Sequence, residues 1–488
     1  MRRFRTMSVL GLALLILPST VAAQEPDLSS EAGLKALHDA QRQATGADVG
    51  LPDRFDLELV AQDLSFPSAV AVGPDDEVYA AISGFGGVTP EIVRIGRDGA
   101  TTSVASEGLG GPITGINFAP DGTFYVSFAG SVATIDLATG SVTPVLTDLP
   151  GLANHQNNHL AFGPDDWIYF GIGSATNAMV VGLDDILSGW VGEHPQASDV
   201  PCEDITLAAE PFVTANPLTE DATDQARTSP YHPFDTAVDS GTVVKGDTRC
   251  TGSVLRFKAG DPEGTLEVFA WGFRNPYSVA VDEDGTVFVV ENGADVRGSR
   301  PIDNAPDVLW RVEQDQAGAW FGYPDFVAGI PVTDPRFAAP GVQPLGFLIE
   351  NHAALLDGSD APPEPFATWA PHDATAQSAI APESWGQWAG RLLVAHHGDF
   401  APVAGPLEQP IPGKVDAVDT EIGKVEDLLV NPAPGAAGGA PERPVGLAFA
   451  GDGSLYVADL GVIEGSTAGL IPRANTGAVW RITRTDGE

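Results

Sequence analysis

Short apolar runs separated by Gly, Pro and Asp turns recur along this chain, and the turn sits at the same place in each recurrence. Five segments share the form apolar strand, Asp/Gly turn, apolar strand ending in small residues: Val70–Ala81, Ile116–Ser127, Leu160–Gly171, Val279–Val290 and Leu447–Ala458. Each reads as a β-hairpin, because β-forming runs bracket a turn-forming cluster. A sixth, weaker copy spans Ser378–Ala395, with its turn stretched to Pro-Glu-Ser-Trp-Gly-Gln-Trp-Ala-Gly-Arg. Each hairpin is followed by a third strand with a common stamp: Glu91–Ile95, Ser131–Ile135, Ser253–Phe257, Asp307–Val312, Lys414–Val418 and Ala478–Ile482.

The first two spacings, 70 to 116 and 116 to 160, have the length of a four-stranded propeller blade. Later spacings are longer, so later blades carry insertions. The expected fold is all-β: a six-bladed β-propeller with a long insertion in the third blade, over about residues 175–252. A sandwich would not need six similar units, and a β-helix repeats over a much shorter period. Propeller loops on one face converge on the central channel, so residues just ahead of each first strand become site candidates.

The first 23 residues combine a basic start (Met-Arg-Arg-Phe-Arg), an apolar run from Val9 to Leu17 and small residues at Val21-Ala22-Ala23. This is the pattern of a secretory signal peptide cleaved after Ala23. Residues 24–50 read as a lead-in with a short helix over Ser29–Gly46, and 51–488 as the propeller. The remainder has no apolar run of about 18 residues, so a secreted or periplasmic protein without a membrane span is expected. Without the signal arginines the formal charge is −44, since the −41 of the whole chain includes three of them. Such a surface repels nucleic acid and anionic membrane. A saline habitat and a merely acidic exported protein both account for it. Cys202 and Cys250 are the two cysteines. In an oxidising compartment they are expected to pair, at roughly 2–4 kcal/mol of stability; the alternative is two unpaired buried thiols.

Polar and charged residues stand where the loops should converge. The third unit opens with Asn154-His155-Gln156-Asn157-Asn158-His159, the fourth with Trp271-Gly-Phe-Arg274-Asn275-Pro276-Tyr277, the fifth with Pro371-His372-Asp373 and the sixth with Glu442-Arg443-Pro444. Taken singly, each reads as a turn or a hydrogen-bonded structural residue. Their joint placement on one rim points to a site. His396 and His397 are adjacent on a strand and should face opposite ways, so they are not read as a metal pair.

The run from His155 to Ser174, Gly272-Phe-Arg-Asn-Pro-Tyr, Glu291-Asn-Gly-Ala-Asp and Arg443-Pro-Val-Gly-Leu-Ala-Phe resemble the glucose/sorbosone dehydrogenase family. The resemblance covers about Leu51 to Thr485. It implies an exported six-bladed propeller that oxidises a sugar with pyrroloquinoline quinone (PQQ) and calcium and passes electrons to an external acceptor. Residue by residue, it implies that His155 is the general base, that Arg274 stabilises the quinone oxyanion, and that Asn275 and Asn292 touch the cofactor. It further implies that the carbonyls of Gly293 and Ala294 hold Ca2+ and that Arg443 lies near the cofactor's carboxylates. The chain departs from the family's best-known glucose enzymes in three places. Asn154 stands where they have an aspartate, Gly110-Gly111-Pro112 where they have a glutamine, and Lys414 is displaced by about three positions from a cofactor-binding lysine. The rival to a PQQ-dependent sugar dehydrogenase is a non-catalytic propeller that binds glycan or protein. A calcium-dependent lactonase would need Glu, Asn and Asp ligands converging from separate blades, and the sequence shows no clear set.

Overall fold

The structure is a computed structural model that describes residues 44–46, 49–400, 411–431, 439–466 and 469–485. The expected signal peptide and, apart from residues 44–46, the expected lead-in helix lie outside the described residues. Six four-stranded antiparallel sheets make up the main body, and the first strand of each contacts the first strand of the next until the sixth returns to the first. The ring is therefore closed, as a six-bladed propeller requires.

Blade 1 contains β2 (Pro67–Val72), β3 (Val78–Ile82), β4 (Glu91–Ile95) and β5 (Thr101–Ala105), preceded in the chain by β1 (Phe55–Leu64). Blade 2 contains β6 (Ile113–Phe118), β7 (Phe124–Phe128), β8 (Ser131–Asp136) and β9 (Ser141–Leu146). Blade 3 pairs β10 (Asn157–Phe162) with β11 (Trp167–Ile172), then β12 (Ser253–Lys258) and β13 (Glu267–Trp271) after the insertion. Blade 4 holds β14 (Asn275–Val281), β15 (Val287–Asn292), β16 (Val308–Val312) and β17 (Ala367–Thr368). Blade 5 holds β18 (Thr375–Ile380), β19 (Leu392–His396), β20 (Lys414–Val418) and β21 (Val425–Val430). Blade 6 combines β22 (Pro444–Phe449), β23 (Leu455–Asp459) and β24 (Gly477–Arg484) with β1 as its outer strand. Pairing of β1 with β24, Phe55 opposite Arg484 at one end, thus joins the two ends of the described chain in one sheet.

The recurring hairpin turn has a backbone reason. Its seventh position, occupied by Asp76, Gly122, Asp166, Gly285 and Gly453, has a left-handed φ in all five copies. Glycine adopts that region freely and aspartate is among the few other residues that tolerate it. The preceding aspartate supports the turn locally: Asp121 and Asp452 each accept the amide two residues on, at 2.9 Å.

All six inner strands carry a register shift near their start, between Pro67/Ala69, Ile113/Gly115, Asn157/Leu160, Pro276/Ser278, Thr375/Ser378 and Pro444/Gly446. A bulge re-aims the side chains beside it. The repeat therefore presents irregular, redirected residues at the end of the inner strands where His155, Arg274 and Asp373 enter.

The third-blade insertion forms helix α1 (Leu183–Leu187), a second short helix (Trp190–Glu193) and a ribbon of Phe212–Ala215 with Gln225–Thr228. Asp199 ties its two ends together, accepting from the amide of Ala175 (2.6 Å) and the hydroxyl of Thr251 (2.9 Å). Cys202 and Cys250 form a disulfide close by, S–S 1.99 Å. A second insertion, between β16 and β17, supplies Trp320, Phe326, Phe337, Leu348 and Ile349 to the same apolar core as Met179, Ile205, Leu207 and Tyr231 of the first. The two insertions therefore stabilise each other by shared burial.

Candidate active site

His155 precedes β10, and its segment is stitched to the continuation of β11. Asn154 N–H donates to Ala175 O (3.1 Å) and Gly173 N–H to Gln156 O (3.0 Å). The His155 Nδ1 lies 2.7 Å from Ser174 O. A carbonyl only accepts, so Nδ1 carries the proton and Nε2 is left with the basic lone pair. Glycine is required at 173, because a Cβ there would collide with the Cβ of His155 and the Oδ1 of Asn275. Burial, followed by the charges of Arg274 and Arg297, pushes the imidazole well below its ordinary value of 6.5; the Ser174 carbonyl and Asp295 oppose the shift only in part. The ring is therefore held neutral.

Arg274 joins His155 through the intervening residue, since Ser174 N–H donates to Arg274 O at 2.7 Å. Its guanidinium is buried and densely bonded. Nη1 donates to Gly293 O (2.6 Å), Nη2 to Asn177 Oδ1 (2.9 Å) and Asp295 Oδ2 (2.8 Å), and Nε to Asn177 O (3.3 Å). Asp295 also takes Arg297 Nε at 3.0 Å and faces His372 Nδ1 at 3.5 Å. Burial alone would raise the Asp295 carboxyl, but Arg274, His372 and Arg297 hold it far below the carboxylate range. Arg297 extends the network to Asp184 in α1, at 2.6 Å.

A row of amides runs beside this network and joins three blades. Asn158 Nδ2 donates to Asn275 Oδ1 (3.1 Å), Asn275 Nδ2 to Asn292 Oδ1 (2.9 Å), and Asn292 Nδ2 to Thr375 O (2.6 Å). Asp307 fixes the far end by accepting the amides of Gly293 and Thr375, both at 2.8 Å. Glu291 accepts from the Arg274 amide and from Trp310 Nε1, and burial raises its carboxyl to about 7.

His155, Arg274, Asn275, Asn292 and Gly293 are thus brought together by direct contacts or one intervening residue, and Ala294 is buried next to Gly293. Arg443 is engaged elsewhere. Its Nη1 donates to the carbonyls of His397 (2.7 Å) and Asp399 (3.0 Å), and its Nη2 to Ile463 O (2.8 Å). Lys414 lies between Asp373 (3.1 Å) and Asp416 (2.9 Å). His396 is fully buried 3.2 Å from the same Asp416, while His397 lies beyond the end of β19. Asn158, Asn177, Asp295 and Asp307 carry much of the geometry and have no role assigned from sequence. Asp295 does close the Glu291–Asp295 motif, and its acidic charge next to arginine-bearing runs was the available signal.

The donor set bears on the implied cofactor. An imidazole with an open Nε2, an amide row and a guanidinium with one Nη1 hydrogen unspent among the described residues suit the carbonyl edge of a planar quinone. Calcium does not fit the arrangement as it stands. Gly293 O already accepts the Arg274 guanidinium, and a divalent cation on that oxygen would meet a fixed positive charge at close range. Among the described residues no group of three or more His, Cys, Asp or Glu could hold a metal, and no helix is long and apolar enough to cross a membrane.

No protein-family model matches the chain, and none of the curated proteins compared matches it. Solved structures do. The PQQ domain of pyranose dehydrogenase from Coprinopsis cinerea, in its holo form, is 16% identical, with 90% of this chain and 97% of that one covered at a TM-score of 0.55. Two structures of a family AA12 carbohydrate-active enzyme from Trichoderma reesei, one with iodide and one with calcium, are 15% and 17% identical. Each covers 91% of this chain, with 99% and 98% of the other and TM-scores of 0.55 and 0.53. At such identity the likeness speaks for the backbone, and it places this chain among six-bladed propellers of that architecture over nearly its whole length.

Proposed function

We propose that the chain is a sugar oxidoreductase, a PQQ-dependent aldose dehydrogenase in its working form, with His155 as the general base. The observation that carries this reading is the neutral imidazole of His155, its Nδ1 anchored on Ser174 O, beside a buried guanidinium and an amide row. The fold likeness to a PQQ domain of a pyranose dehydrogenase supports it.

The sugar hydroxyl proton passes to His155 Nε2 while the hydrogen on the same carbon leaves as hydride, so the substrate loses two electrons and gains a carbonyl. When bound, the quinone supplies the two-electron acceptor, and an external acceptor later takes those electrons. His155 in this role contributes about 10²–10⁴ in rate. Arg274 is held by Asp295, Asn177 and Gly293, so its charge is fixed in place before reaction rather than reorganised during it. Asn275 and Asn292 would hold the quinone edge. Export to the periplasm or exterior, as the amino-terminal pattern suggests, would place the site where sugars and soluble acceptors meet.

A second reading has an observation in its favour. Arg443 is committed to backbone carbonyls and Lys414 to two aspartates, which leaves little positive charge for a tricarboxylate cofactor and favours a propeller that binds glycan or protein. Titration of the purified mature protein with PQQ, followed by absorbance with calcium or with EGTA, separates the two. The dehydrogenase reading expects saturable stoichiometric binding that weakens in Asn275→Ala. Binding that requires calcium would show that Arg274 releases Gly293 O. Absence of binding at every salt concentration removes the quinone and leaves the binding module.

A further inference from the structure

We propose that helix α1 of the third-blade insertion is the positioning element of the site, through two adjacent aspartates that reach His155 and Arg274 by separate routes; this deepens the reading above and rests on it for its catalytic consequence. Asp185 is fully buried. Its Oδ1 accepts Asn154 Nδ2 at 2.6 Å, and its Oδ2 accepts the amide of Gly182 at 2.8 Å, at the start of its own helix. Asn154 is the residue before His155, and its backbone is already tied to Ala175. Clamping its side chain therefore fixes the turn from which the imidazole projects.

Asp184 points the other way. It pairs with Arg297 at 2.6 Å, Arg297 with Asp295 at 3.0 Å, and Asp295 with Arg274 at 2.8 Å. Gly182 and Gly298 allow this close approach, because a side chain at either would press on Asp184 or Ser299. One turn of helix thus holds the immediate neighbour of the base and, through one ion-pair chain, the guanidinium beside it. Asp185 and Asp184 are positioning residues, since neither touches the site where a substrate would react. The insertion, which a repeat-based view leaves as decoration, becomes part of the machinery.

The test compares Asp185→Ala and Asn154→Ala, which break the same bond from opposite sides, with Asp185→Asn, which keeps the size and one acceptor. The readout is the titration of the His155 ring in protein carrying isotope-labelled histidine, its signal assigned from the one lost in His155→Gln. In both alanine variants the midpoint should move up towards 6.5 as the ring loses its fixed, desolvated position, and Asp185→Asn should recover most of the wild-type behaviour. In protein that turns over sugar, kcat should fall about 10–100-fold with little change in KM. Variants that fold with the His155 titration unchanged overturn the proposal. Should Asp185→Ala fail to fold, Asn154→Ala, at a half-buried turn, decides alone. The ring titration needs no turnover, so failure of the sugar-oxidation reading and failure of the clamp are separate results.

Discussion

At residue 155 three neighbours set the chemistry: the Ser174 carbonyl fixes the tautomer, burial removes water, and Arg274 and Arg297 disfavour a second positive charge. The folded-state pKa therefore lies below the ordinary 6.5, and two consequences share that sign. The unfolded chain takes up a proton near 6.5 that the native ring refuses, so this residue costs stability as pH falls below 6.5. As the proposed base, His155 stays unprotonated over the same range, and the acidic limb of kcat/KM should lie below pH 6.5, as a pH–rate profile would show; a limb at or above that value would mean an imidazole exposed to solvent. His155 and Arg274 were legible as candidate site residues because they stand in ordered motifs ahead of inner strands, and Asn275 because it opens β14 in the same motif. Their partners were not. Asn177 follows β11 by a few residues, yet it meets Arg274 only through the fold, at a sequence separation of 97. Nothing in the local pattern distinguishes it from any other loop asparagine.

At the scale of elements, the hairpin was legible down to its turn, because the left-handed seventh position admits so few residue types that Asp and Gly mark it in each of the five clear copies. The third strands fall where their common stamp put them, from Glu91–Ile95 to Gly477–Arg484. Strand β1 was not recognised as a blade strand. It carries no hairpin and no stamp, and its role as the outer strand of blade 6 depends on a partner more than 400 residues away. The bulges were equally hidden, since one extra residue in a strand leaves the composition unchanged. The third-blade insertion could be bounded but not folded, as its core is shared with the fourth-blade insertion. The Cys202–Cys250 bridge closes this segment near its stem. Replacing both cysteines by alanine should cost roughly 2–4 kcal/mol in urea unfolding of the region. An unchanged midpoint would mean that Asp199 and the shared core hold the stem unaided.

Across the whole molecule, an excess of carboxylates surrounds a site whose few cations are already paired. Arg274, Arg297 and Lys414 each face acidic partners, and the chain as a whole carries a formal −41. Self-repulsion of that size is screened over a Debye length of about 10 Å at 0.1 M salt. Thermal unfolding should therefore shift upward as NaCl is raised from low ionic strength, and a flat salt dependence would argue that the acidic surface is too dispersed to matter. The ring closure, the shared insertion core and the α1 contacts all converge on one rim, the place of the proposed chemistry. The most direct test is turnover of aldoses by the PQQ-loaded mature protein with an artificial electron acceptor, in the wild type and in His155→Ala. The proposed role of His155 requires steady oxidation in the wild type and a loss of about 10²–10⁴ in kcat in the variant while PQQ still binds. Equal turnover in both, or bound PQQ with no oxidation of any aldose by the wild type, would contradict it.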